Sequence, residues 1–482
     1  MVTGAWAQAT AETQAAAAKE VISDFMGENP GLTVNVTIDP NFKDNGKDKF
    51  TYTLSGSTLT IKASNGVSAC RGFYDFTKSN GAGICSWSAN RFKAPTSPTT
   101  TTKTVTSPYR DHQYLNVVTY GYSMPYWDEN RWDKEIAWMA LHGIDMPLML
   151  VGSETIYRDV FKALYGTSDT DLNAWEVGPA HLPWMRMGNL AGNSFDGPLG
   201  DHWHSKQKAL AKHILQKMGA LGMKPVVPAF GGFVPPAVAQ QLGNASTTGW
   251  NWVPDNYKNY RLTPTAGTGG QDGEFKKIGK KFIELWDQEY ESSYGSQFKY
   301  YLSDSFNEMA VPNDPATLQT YGEQIYGAIK EGSGNNDAVW VTQGWEFVYG
   351  SGKWTNGSTS DAKYKALTAG VPQGKFMSLY MSPEYGNGKW SSYDNFDGDD
   401  WVYTMLPNMG GKNFWTGPLQ NYATTWPKSM ANSGAYSNCT GWGMTMEGIE
   451  YNEMLYELIA DMGWTDPSTV RKLLKTLGEL LH

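Results

Sequence analysis

Cysteine is scarce in this chain, which excludes a fold built on disulfides. Cys70, Cys85 and Cys439 are the only three thiols in 482 residues, too few for a cross-linked scaffold. Free structural thiols are expected, with a Cys70–Cys85 bridge as the alternative in an oxidising compartment. Long apolar runs are missing too. No stretch of about 18 apolar residues occurs, so no membrane-spanning helix is expected. Met1–Ala18 is rich in alanine but has neither a charged leading region nor an apolar core, so no signal peptide is read there. There is no internal repeat. There is also no basic block, and the formal net charge is −9, which excludes a nucleic-acid partner of the usual electrostatic kind. Metal signals are thin. His202-Trp203-His204 has no cysteine or third ligand nearby, so no metal and no other cofactor is expected. Gly267–Gly273 lacks the lysine and the strand–turn–helix setting of a phosphate loop.

Aromatic residues are abundant. They make up 13% of the chain, with 20 Trp and 27 Tyr, suited both to a large core and to a cleft whose rings stack on sugar faces. The length predicts two or three domains. Asn35, Asn244, Asn356 and Asn438 begin glycosylation sequons, a number near chance and only a weak sign of secretion.

Residues 1–93 read as a small α/β domain. An alanine-rich helix spans about Gln8–Phe25, Leu32–Ile38 alternates like a half-buried strand, and Phe50–Leu54 with Thr58–Ala63 form a hairpin. A second helix starts after Asn65-Gly66. Residues 94–110 are rich in Pro and Thr and read as a linker or an extended edge segment. From Asp111 to Trp464 strand and helix signals alternate. The strands are placed at Leu115–Tyr122, Ile144–Gly152, Pro225–Gly231, Phe298–Ser305, Ala338–Trp345, Phe376–Met381, Trp401–Pro407 and Gly441–Glu447. Amphipathic helices lie between them, with Phe275, Ile278, Phe282 and Trp286 on one face. Roughly eight such units predict a (β/α)8 TIM-type barrel. One more helix is expected over Pro467–Leu481, at the start of a truncated helical region spanning 465–482.

Two glutamates stand where a barrel keeps its chemistry, at the C-terminal ends of strands. Glu308 closes Tyr300-Tyr-Leu-Ser-Asp-Ser-Phe-Asn-Glu308, and Glu447 closes Gly441-Trp-Gly-Met-Thr-Met-Glu447. A pair of facing carboxyls is the minimum apparatus for glycoside hydrolysis. Asn307 beside Glu308 supplies an amide for a sugar's 2-substituent, and repulsion between Asp304 and Glu308 would raise one of their pKa values. A structural alternative for Glu308 is an acid at the N-terminus of the helix beginning near Asp314. Glu447 stays open on its own residues, because Glu450, Glu453 and Glu457 follow it as a solvated helix face would. Asn116, Thr119, Tyr120, Tyr122 and Gly152-Ser153-Glu154 would converge on the same mouth, and Trp345 is a candidate sugar platform.

Several runs together resemble the α-N-acetylglucosaminidases of glycoside hydrolase family 89. They include Asn116-Val-Val-Thr-Tyr-Gly-Tyr-Ser123, Trp184-Met-Arg-Met-Gly-Asn-Leu190, Gly222-Met-Lys-Pro-Val-Val-Pro-Ala-Phe230, Asp304-Ser-Phe-Asn-Glu-Met309, Gln343-Gly-Trp345, Asn408-Met-Gly-Gly411 and Glu447-Gly-Ile449. The resemblance covers about Asn116–Trp464. It implies a retaining enzyme that releases terminal α-linked N-acetylglucosamine, with Glu308 as acid/base and Glu447 as nucleophile. It also implies Asn116, Glu154, Trp184, Asn189, Asn307 and Trp345 around the sugar, and a secreted or lysosome-like setting. The family's helical domain would be represented only by its first helix. Val118, Ser153 and Tyr380 depart from residues common in relatives, which carry cysteine, glutamine and aspartate there. The expected partner is a glycan ending in α-linked N-acetylglucosamine, and self-association into a homo-oligomer is left open. The rival readings are a sugar-binding protein on a degenerate barrel and a barrel hydrolase for another glycoside.

Overall fold

The computed structural model describes residues 9–466, apart from 193–196, 244, 248–252, 269–270, 349–353, 355–360, 384–389, 414–416 and 428–437. The helix expected over Pro467–Leu481 lies outside the described residues. The small N-terminal unit follows its sequence pattern. Helix Ala11–Met26 is capped by Thr10, whose hydroxyl accepts from Thr13 N at 3.2 Å. Helix Gly66–Ser79 is capped by Asn65, which accepts from Ser68 N at 2.7 Å. The hairpin pairs Lys49–Ser55 with Thr58–Ala63, and Thr33–Ile38 adds in parallel to the second of these. Within the Pro/Thr stretch, Thr102–Thr106 is the antiparallel edge strand of this four-stranded sheet. Its charged and hydroxyl side chains suit an edge.

Eight parallel strands form the barrel: Asp111–Tyr114, Met146–Pro147, Val226–Pro228, Tyr300–Leu302, Val339–Gln343, Phe376–Pro383, Asp400–Leu406 and Cys439–Met444. The first pairs with both the second and the eighth. A single parallel bridge, Leu148 to Val226, joins the second strand to the third and closes the ring. Helices such as Glu129–Leu141, Asp201–Leu221, Glu274–Tyr294 and Pro315–Ser333 surround it. Phe275, Ile278, Phe282 and Trp286 are all buried on one face of their helix, as their spacing predicts.

The first strand lies upstream of where the sequence placed it, and the reason is physical. Leu115 takes φ +79°, ending the extended run, and Thr119–Tyr122 is a helical turn. The true strand, Asp111-His-Gln-Tyr114, is wholly buried yet polar. It is tolerated inside because Lys224 pairs with Asp111 at 2.7 Å and with Asp145 at 2.9 Å, while Asp145 accepts from His112 N at 2.8 Å. An apolar pattern cannot report such a strand.

The two units are joined by charge and by rings. Arg71 pairs with Asp461 at 2.8 Å, Lys78 with Glu457 at 2.5 Å, and His142 Nε2 lies 2.7 Å from Glu457. Trp464 stacks on His112 with centroids 4.9 Å apart, touches Phe50, and donates from its indole to Gly143 O at 3.0 Å. Cys70, Cys85 and Cys439 are all free thiols.

Candidate active site

A cavity of about 270 Å³ opens at the C-terminal end of the barrel strands, the face where barrel enzymes carry their chemistry. Both sequence-predicted acids line it. Glu308 is carried by the loop after the fourth strand, and Trp345, on a short helix after the fifth strand, donates its indole N–H to Glu308 Oε1 at 2.9 Å. Asn307 precedes Glu308 with φ +47°, a left-handed conformation that asparagine tolerates better than most residues. Its amide lies 3.4 Å from both Met187 O and Asn189 Oδ1.

Glu447 is held by the loop Asn408–Gly411. Gly410 N donates to Glu447 Oε2, and Glu447 N donates to Pro407 O at 3.1 Å. Gly410 and Gly411 have φ of +67° and +66°, and a Cβ on Gly411 would stand 2.8 Å from the Tyr122 ring. This loop therefore requires glycine there for both conformation and space. Thr119 Oγ1 donates to Met446 O at 2.6 Å, tying the backbone before Glu447 to the turn after the first strand.

The remaining walls gather most of the predicted residues. Asn116, Trp184, Asn189, Asn307 and Trp345 line the cavity, together with Val118. Trp184 is braced edge-on by Tyr122 at 5.2 Å. Glu154 is not among the lining side chains. It is buried behind them, accepting from Arg186 Nε at 2.7 Å and Ser153 Oγ at 3.1 Å. Arg186 shares the helix Leu182–Arg186 with Trp184, so Glu154 anchors the element that carries a wall residue. Tyr380 is fully buried among Trp390, Trp401 and Tyr403 and does not line the cavity. His204 lies 3.3 Å from Glu176, and among the described residues no group of three or more His, Cys, Asp or Glu is arranged to hold a metal ion.

The expected repulsion between Asp304 and Glu308 needs correction. Burial raises the Asp304 carboxyl to about 6, against hydrogen bonds from Gln343 N, Gln343 Nε2 and Thr342 Oγ1 that pull it down. The carboxyl coupled to Asp304 is Glu346, pushed well above its usual range by burial and then by the Asp304 charge. Glu346 lines the cavity, as do Met187, Met381, Leu406 and Met409, and the sequence reading missed all five. The available signal for Glu346 was its place directly after Trp345 at a strand end. The methionines and leucine carried none, because an apolar wall residue reads as core.

Relatives sharpen this picture. The profile of the family described as the alpha-N-acetylglucosaminidase (NAGLU) tim-barrel domain matches residues 112–466. Human alpha-N-acetylglucosaminidase is 31% identical over 462 residues, covering 94% of this chain and 59% of the human protein. A family 89 glycoside hydrolase from Clostridium perfringens, in complex with 2-acetamido-1,2-dideoxynojirimycin, superposes with a TM-score of 0.81 at 26% identity, over 96% of this chain and 50% of that one. A Glu-to-Gln double variant of the Clostridium enzyme, bound to its substrate GlcNAc-alpha-1,4-galactose, matches with a TM-score of 0.81 at 25% identity, over 97% and 50%. The chain thus spans between half and three fifths of the length of these relatives. It belongs to the alpha-N-acetylglucosaminidase family, family 89 of the glycoside hydrolases.

Proposed function

We propose that this chain is a retaining glycosidase that releases terminal, non-reducing α-linked N-acetylglucosamine. The observation that carries this reading is that Glu308 and Glu447 line one cavity whose other walls hold Trp184, Trp345, Asn116 and Asn189. Rings can stack on the sugar's apolar face while the amides bond its hydroxyl and acetamido groups. In the first step Glu308 protonates the departing glycosidic oxygen while Glu447 Oε attacks the anomeric carbon. The C–O bond to the aglycone breaks as the glycosyl–Glu447 ester forms. In the second step Glu308 takes a proton from water, the water oxygen attacks the anomeric carbon, and the ester bond to Glu447 breaks. The indole N–H of Trp345 fixes the orientation of the Glu308 carboxyl, and the Gly410 amide does the same for Glu447.

The deciding experiment follows an aryl α-N-acetylglucosaminide by NMR. The expected first product is α-N-acetylglucosamine, because two displacements restore the configuration. A β first product would replace retention by inversion, and no release at all would favour a sugar-binding protein. Other aryl glycosides test the choice of sugar. Residues 1–93 together with the edge strand Thr102–Thr106 as a small domain, 111–464 as the catalytic barrel and a secreted or lysosome-like setting belong to the same proposal. Limited proteolysis and cell fractionation test them. Among the described residues no helix is long and apolar enough to cross a membrane.

A further inference from the structure

The double displacement has no task for Glu346, yet its surroundings are built for one. Glu308 and Glu447 are partly exposed, whereas Glu346 is only 2% exposed and lines the same cavity. Asp304, the fourth carboxyl on the cavity wall, is also less buried than Glu346, which is therefore the deepest of the four. Glu346 Oε1 lies 2.8 Å from Thr342 Oγ1, and Glu346 Oε2 has no hydrogen-bond partner among the described residues. Buried polar atoms without a partner are rare in native proteins, and one at the wall of a cavity is satisfied when a ligand arrives.

The proton count fixes the form of this group. Thr342 has one hydroxyl proton and two carboxyl neighbours, Glu346 Oε1 and Asp304 Oδ1, the latter at 2.9 Å. Asp304 already accepts from Gln343 N at 2.7 Å and Gln343 Nε2 at 2.6 Å, a set of donors that suits the ionised form. Burial and the Asp304 charge both hold Glu346 in its protonated form, and the more weakly acting Arg261 does not reverse them. The Arg261 guanidinium lies 4.7 Å over the Phe306 ring, and its Nε and Nη2 have no hydrogen-bond partner among the described residues, so neither bonds Glu346. Tyr393, the other titratable group coupled to Glu346, is itself raised by burial and donates to Phe347 O at 2.5 Å.

We propose that Glu346 is a specificity-determining residue, whose carboxyl grips one hydroxyl on the far edge of the sugar ring, at C3, C4 or C6. The unpartnered Oε2 is the contact atom: it donates to the sugar hydroxyl when it carries the carboxyl proton, and accepts from it when that proton lies on Oε1 toward Thr342. The inference rests on the hydrolase reading for the identity of the sugar. It adds the means by which the deep end of the cavity recognises it.

The test compares wild type, Glu346→Leu and Glu346→Gln on the aryl substrate and on its 3-, 4- and 6-deoxy forms. Glu346→Leu should lower kcat/KM on the parent sugar by about 10-fold or more, mainly through KM. Glu346→Gln, which keeps a donor and an acceptor, should lose less. The Leu penalty should vanish on one deoxy sugar alone. An equal penalty across the whole series, or Gln losses as large as those of Leu, would overturn the proposal. Circular dichroism checks the fold. Should the Leu variant not fold, the wild-type and Gln proteins decide. Calorimetric affinity of wild type for N-acetylglucosamine should fall as pH rises and Glu346 ionises, and that of Glu346→Gln should not; the same pH profile for both would overturn it. If wild type binds N-acetylglucosamine but releases no aryl group, the hydrolase reading fails, and the deoxy series read by calorimetry still judges Glu346. If wild type does not bind the sugar, both fall.

Discussion

At the scale of single residues, the two acids have unlike supports and should fail alike. Glu308→Gln and Glu447→Gln should each remove turnover by about 10²-fold or more while thermal unfolding stays at the wild-type temperature. Wild-type-like rates in either would end the assignment. Trp345→Phe keeps a ring but removes the indole N–H on Glu308, and should lower kcat by about 10-fold with a smaller change in KM. Asn307 is a separate case. With φ +47°, Asn307→Ala should cost about 1–2 kcal/mol of stability, whereas Asn307→Gly should cost less; equal denaturation midpoints for the two would refute that account. Glu308 was legible in the sequence because an acid beside asparagine at a strand end is distinctive. Glu447 was not legible from its residues, since three more acids follow it within ten positions. What separates Glu447 from them is the Gly410 amide, a partner 37 positions away. Glu154 is the reverse case: its sequence position matches the resemblance, while its carboxyl accepts from Arg186 behind the cavity wall.

At the scale of elements, seven of the eight barrel strands overlap the stretches expected for them, because runs such as Val339–Gln343 are both apolar and bounded by loop residues. The observed strands are mostly shorter than the apolar runs. Met146–Pro147 is the extreme, and its proline offers no N–H to the ladder. The first strand escaped because its burial depends on Lys224, more than a hundred positions later. Helix ends were clearer. Gly143, just past helix Glu129–Leu141, has φ +75°, and a Cβ there would stand 2.1 Å from Trp464 Nε1. Gly143→Ala should therefore lose about 2–3 kcal/mol in denaturant unfolding; a loss of a few tenths would mean that Trp464 can move aside. Gly143→Ala with Trp464→Phe should recover part of that loss, since the indole nitrogen is what the new methyl group meets.

At the scale of the whole molecule, the small domain is tied to the barrel by groups that titrate. Burial alone would raise the Glu457 carboxyl, but Lys78 and His142 outweigh it and hold the group below the usual range. A depressed carboxyl stabilises fully above its unfolded-chain value of about 4.3, and that contribution disappears as pH falls toward the folded value. The Tm of wild type should accordingly exceed that of Glu457→Gln near neutrality, and the gap should close in acid. A gap that stays constant with pH would show that Glu457 contributes only by packing. None of this coupling is legible along the sequence, where Lys78 and Glu457 are 379 positions apart. The ring itself has one seam. Between its second and third strands the backbone is stitched by the Leu148–Val226 bridge, the bond from Met149 N to Val226 O at 2.9 Å and the bond from Lys224 N to Asp145 O at 2.6 Å. Amide hydrogen exchange should start there before it reaches the long ladder between the sixth and seventh strands. If the barrel breathes, it parts on the side where the chain departs toward Glu154 and Trp184, so the wall bearing that tryptophan can swing while the strands bearing Glu308 and Glu447 keep their registration.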